Sequence, residues 1–260
     1  MGHVRLGNLP RTRKWAQVIN LIASGACTRH IADATIVAAE RGLRAAPADR
    51  GVVQSTWLLM HLPLAARADS FPDALRRLGL PVSEYPGLME LLGATADAID
   101  ARLPNNRGRT DLGEMAQTAL CETLATVVGE RTTGLFDSSP HDVERAIADL
   151  HTVKHFGYLT RRFTASFTFK CLDYFLSRTT ANHIGAGLRF PTLARLSEFR
   201  TALDTHCQES AVIVERFAGD WRSKTRYHPG EITEANVTTF VGGAVNKLLD
   251  ELKRRATDGN

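Results

Sequence analysis

Phe156, Phe163, Phe167 and Tyr174 recur at spacings of seven, four and seven residues, and Leu159, Cys171 and Phe175 widen the same stripe. Phe169, Leu172 and Leu176 populate an adjoining face. A helix apolar over so much of its circumference must be packed on several sides, so it belongs at the centre of a bundle. The segment from Val153 to Asn182 is therefore expected to be a central helix, ended by Gly185-Ala186-Gly187. Its short alternation Phe163-Thr164-Ala165-Ser166-Phe167-Thr168-Phe169 has the residue types of a strand. The helical register on both sides argues against one.

Helical periodicity also dominates elsewhere. Trp15, Val18, Ile19 and Ile22 mark a first helix, with Pro10 before it and Gly25 after it. Thr28 is placed to cap a second, running to about Leu43. A third covers Val52 to Leu62, with Pro63 ending or kinking it. Shorter or amphipathic helices follow from Ser70, from Leu88 to Leu103, from Thr110 to Gly129 and from Pro140. One long helix is expected from Thr192 to Trp221, and a last one after Ile232. The fold class is all-α: an irregular bundle of about ten helices forming one compact unit over 1–260. The stretch 132–140 is the best boundary if the bundle divides into two packed subdomains.

Composition narrows the environment. The four cysteines, Cys27, Cys121, Cys171 and Cys207, form no CxxC pair, so they read as reduced, mostly buried thiols of a cytoplasmic protein. The uncharged run Gly51–Ala66 contains Gln54, His61 and Pro63 and is too short and polar for a membrane span. The net charge of +4 is small for nonspecific DNA binding. Its distribution is uneven. Residues 1–14 carry Arg5, Arg11, Arg13 and Lys14 with no acid, and a basic ridge includes Arg161, Arg162, Lys170, Arg178 and Arg189.

Catalytic signatures are scarce. There is no Walker A loop, GxGxxG, GxSxG or HExxH. The dipeptide His141-Asp142 suits a metal-dependent phosphohydrolase, yet it follows Ser138-Ser139-Pro140, where an aspartate complements a helix dipole. His151 and His155 have metal-ligand spacing but no evident third ligand. His206 and Cys207 are neighbours, which on a helix point about 100° apart. No cofactor and no metal site is assigned.

Two surfaces are left for partners. The arm at residues 1–9, continuing through Arg11, Arg13 and Lys14, interleaves Val4, Leu6 and Leu9 with arginines, and Trp221 near a helix end is a second anchor. The ridge with Arg161, Arg162, Lys170 and Arg178 leads to the loop from His183 to Thr192, where Arg189 lies, and that loop is the place for a small anion. The leading expectation is a non-catalytic interaction or scaffold subunit of a cytoplasmic multiprotein assembly, with a protein partner and a homo-oligomer both compatible. One alternative is a nucleic-acid-associated helical subunit using the arm and the ridge. Another is an all-helical enzyme or sensor of a small anionic ligand.

Overall fold

A computed structural model describes residues 12–103, 109–132, 139–227 and 232–258. Within them the chain forms eleven α-helices and no strand. In order these are α1 (Arg13–Ala23), α2 (Thr28–Leu43), α3 (Arg50–Ala65), α4 (Phe71–Arg77), α5 (Leu88–Arg102) and α6 (Asp111–Gly129). They continue with α7 (Pro140–Asp149), α8 (Val153–Thr180), α9 (Leu193–Ser210), α10 (Val212–Tyr227) and α11 (Glu234–Asp258). The all-α bundle expected from periodicity is what forms. The arm residues Arg5 and Arg11, and most of the stretch 132–140, lie outside the described residues.

The 28-residue α8 is the hub. It packs on α6, α9, α10 and α2, and one contiguous cluster of buried apolar side chains runs from Trp15 to Leu252. Phe156, Phe163, Phe167 and Phe175 are all buried, as the stripe requires. The strand-like Phe/Thr alternation is helical for a local reason. Thr160 and Thr168 donate their hydroxyls to the carbonyls of Phe156 (2.9 Å) and Thr164 (2.7 Å), one turn back. Thr56 and Thr35 do the same towards Val52 (2.9 Å) and Ile31 (2.6 Å). Each polar atom is satisfied within its own helix.

Two boundaries differ from the sequence expectation. The long helix from Thr192 to Trp221 is broken at Ala211 into α9 and α10. An unbroken helix of that length would extend about 45 Å in one direction. The break lets α9 pack on α2 and α8 while α10 packs on α8 and α11. The second difference is at α2. Cys27 takes the N-cap position, Thr28 is the first helical residue, and no side chain caps the helix. Pro63 lies inside α3, in its last turn.

Candidate functional site

The most elaborated surface lies where α2 begins and α9 rises, joined by the loop after α8. That loop closes on itself. Phe190 donates its N–H to His183 O (3.0 Å), Gly185 donates to Phe190 O (3.0 Å), and Leu188 donates to Gly185 O (3.0 Å). The closure needs backbone that side chains resist: Gly185 has φ 143° and Gly187 has φ 76°. Phe190 is buried and packs on Phe199, with ring centroids 5.3 Å apart. The central helix stops earlier than expected, at Thr180, and a 3-10 turn over Ala181–His183 follows, so the Gly-Ala-Gly segment shapes the compact turn beyond the helix and does not end it.

The anchored turn delivers Arg189 to the start of α2. Its Nη2 donates to Ala26 O (2.8 Å), and its guanidinium lies 5.6 Å from the Phe190 ring centroid. A cleft of about 440 Å³ opens beside it, lined by Thr28, Arg189, Pro191, Arg195, Glu198 and Ala202 above the Phe190–Phe199 floor. Arg195 donates through Nη1 to Glu198 Oε2 (2.7 Å). The other flank of α9 carries a second cleft of about 380 Å³, lined by Phe169, Leu193, Leu196, Ser197, Arg200, Thr201 and Asp204. Arg200 forks onto both carboxylate oxygens of Asp173 (2.9 and 2.6 Å). Leu193 is 71% exposed and Leu188 47%. A further apolar pair, Tyr85 and Met89, is 79% and 63% exposed around the start of α5.

The residues nominated from sequence are dispersed. Arg161 reaches Gln208 O (3.3 Å) and Glu215 (3.2 Å), and Arg162 reaches Gln208 Oε1 (3.5 Å), so both face the α9–α10 seam. Lys170 turns to Glu122 on α6 (2.7 Å). Arg178 lies 4.2 Å from the Tyr174 ring centroid and donates to its hydroxyl (2.6 Å). Only His183 and Arg189 belong to the closed loop. In the arm, Arg13 is exposed and Lys14 donates to Val37 O (3.3 Å). Trp221 is half-buried between Phe156 and Phe240, with centroids 6.3 and 5.0 Å away.

The residues nominated for catalysis make the following contacts. Asp142 forms a capping box with Ser139, whose hydroxyl holds its carboxyl below the usual range, and His141 is exposed. His155 Nδ1 lies 3.0 Å from Asp149 O. No group of three or more His, Cys, Asp or Glu is placed to hold a metal among the described residues. Burial pushes the Cys171 and Cys207 thiols far up, which suppresses the thiolate a nucleophile needs. His206 turns from Cys207 to Asp33. A void between α8 and α11, lined by Phe163, Phe167 and Phe240, offers about 30 Å³, room for little more than water. No described helix is long and apolar enough to cross a membrane.

Sequence reasoning missed Leu188, Leu193, Tyr85 and Met89 as surface residues, because each sits in a pattern that also suits burial. It also missed Thr28 as a cleft residue. One signal was readable there: α2 opens without an acid in its first turn. No family model, curated protein or solved structure matches the chain.

Proposed function

We propose that this chain is a non-catalytic scaffold subunit of a cytoplasmic multiprotein assembly, docking protein partners on two apolar faces. The carrying observation is the exposure of Leu188 in the loop after α8 and Leu193 at the start of α9, and of Tyr85 and Met89 around the start of α5. The two faces lie on different packing seams, since α5 packs on α3 and α6 while α9 packs on α2 and α8. A protein with two such faces can bridge two partners.

The α9 face has the anatomy of an interface: apolar side chains at its centre and a charged rim. The rim charges are already matched, Arg200 with Asp173 and Arg195 with Glu198. The partner that fits is therefore an apolar helix face with little net charge. Burying an exposed leucine contributes about 1.5–3 kcal/mol, so two or three anchors per face suffice for a specific contact.

The test uses photo-reactive residues at positions 193 and 89 of the full chain, followed by titration of each identified, purified partner. Leu193→Asp should weaken one partner at least tenfold and leave the other unchanged, and Met89→Asp should do the reverse. Thermal stability should be unaltered in both. If neither substitution affects any cross-linked partner, the reading is wrong. If binding is instead to nucleic acid, it will fall steeply with salt and ignore both substitutions.

A further inference from the structure

The cleft between the start of α2 and α9 is chemically unlike the apolar faces. Arg189 lines it and is fixed there by its bond from Nη2 to Ala26 O, while its Nε finds no acceptor among the described residues. Its Nη1 makes no hydrogen bond among the described residues. Arg195 lines the same cleft and gives only Nη1 to Glu198. Thr28 adds a hydroxyl that makes no hydrogen bond among the described residues. The start of the 16-residue α2 has no side-chain cap, and its first residue, Thr28, lines the same cleft, so the positive end of the helix field lies beside it.

We infer that this cleft binds the phosphate group of a small ligand. Donors converge from three elements: the loop, the first turn of α2 and α9. A carboxylate offers two oxygens to such a set, whereas a phosphate offers three terminal oxygens and a second negative charge. Within the cleft two guanidiniums outnumber the single carboxylate of Glu198. Pro191 and Ala202 give an apolar flank on which an organic substituent rests. Binding involves no bond making or breaking. The cleft shares Arg195 and Glu198 with the rim of the α9 docking face, but phosphate binding needs neither exposed leucine, so Leu193→Asp should leave it unchanged.

Phenyl phosphate, inorganic phosphate and acetate are titrated separately into the purified full-length protein at constant ionic strength, followed by calorimetry and by the shift in melting temperature. Both phosphates should bind saturably, and acetate should not. Arg195→Gln should weaken phosphate binding roughly tenfold, the effect of losing one charge-assisted hydrogen bond. Arg195 is 67% exposed at its side chain, so this variant will fold. Glu198→Gln should tighten binding several-fold by removing the competing carboxylate. Arg216→Gln, an exposed arginine on α10, should change nothing. The inference is overturned if neither phosphate saturates, if acetate binds as well as phosphate, or if Arg195→Gln and Glu198→Gln leave affinity unchanged.

Discussion

His206 Nε2 stands 3.2 Å from Asp33 Oδ1, with only 7% and 9% of the two side chains exposed. The pair ties α9 to α2 inside the bundle, next to the buried Cys207. Neither atom has another polar partner among the described residues, so removing one leaves the other buried and unsatisfied, which costs about 1–3 kcal/mol. Asp33→Ala and His206→Ala should each destabilise the chain on that scale in urea unfolding. The double replacement Asp33→Leu/His206→Leu should cost clearly less than the sum of the singles. Additive losses would show that the two groups do not act on each other.

The helices α3 and α6 cross where Gly51 meets Gly113. A Cβ on Gly51 would lie 2.5 Å from Gly113 Cα, and one on Gly113 would lie 3.2 Å from Gly51 Cα and 3.0 Å from Thr110 Oγ1. Both neighbours are backbone or capping atoms that cannot step aside. Gly51→Ala should therefore destabilise by about 1–3 kcal/mol or more, as overpacking does. Gly93, within α5, has nothing within 4 Å of its position for a Cβ. Gly93→Ala should stabilise by about 0.5–1 kcal/mol through helix propensity. Melting temperatures moving in opposite directions confirm the crossing, and equal shifts would refute it.

The contrast between these glycines shows what sequence can carry. The central helix was legible because its apolar residues repeat at helical spacing, and Phe156, Phe163 and Phe167 are buried as that spacing requires. The break at Ala211 was not, because neither proline nor glycine marks it. It arises from the need of α9 and α10 to meet different neighbours. The ridge failed as a single surface for a similar reason. Arg161, Lys170 and Arg178 lie nine and eight residues apart on one helix, and each turns to a different partner: Glu215, Glu122 and Tyr174. The loop from His183 to Thr192 was legible through its glycines, whereas its approach to Thr28 is a contact across more than 160 residues that no local pattern encodes.

Tyr174 donates its hydroxyl to Asp111 Oδ2 (2.7 Å) at the start of α6. Burial, then the neighbouring carboxylate, pushes its ionisation above the ordinary value near 10. The folded state thus favours the protonated phenol. This contribution is fully present below pH 10 and is lost as pH rises through the folded value. Alkaline unfolding of the native chain should begin in that range, and phenolate absorbance should show two tyrosines titrating late, Tyr174 and Tyr158, the latter raised by burial and by Glu130. Tyr174→Phe should remove one of the two late titrations and cost ~1–3 kcal/mol at neutral pH, because buried Asp111 loses a donor. Late titration of two tyrosines in the Tyr174→Phe variant would show that Tyr174 is not one of the pair, since only Tyr158 beside Glu130 should remain late.

Arg102 lies 4.0 Å from the Trp57 ring centroid, and Trp57 stacks on His61 at 3.8 Å. The guanidinium also donates to Gln54 Oε1 (3.1 Å) and Leu78 O (2.6 Å), fastening α5 to α3 and to the end of α4. Burial lowers its pKa from the usual arginine value, so the charge is partly desolvated. A cation held over an indole there contributes about 0.5–2 kcal/mol. Arg102→Lys should lose most of that, since an ammonium cannot stack and fork at once. The measurement is unfolding free energy together with tryptophan emission. An unchanged spectrum and stability would show that the stack carries no weight.

The four cysteines should react in an order set by burial. Cys27 is exposed, Cys121 is half-buried, and Cys171 and Cys207 are buried. Desolvation raises the ionisation of the last three, so their thiolate populations at neutral pH are small as well as shielded. Alkylation of the native chain under reducing-agent-free conditions should give one fast equivalent, located by peptide mapping at Cys27, then a slower one at Cys121. Cys171 and Cys207 lie on α8 and α9, within the core that holds α2, so they should become available only on global unfolding. Their alkylation rate should then rise with denaturant along the same curve as the loss of helical circular dichroism. Fast native labelling of Cys207 would mean that α9 opens from α8 without global unfolding, and the buried His206–Asp33 contact would then be too weak to hold it.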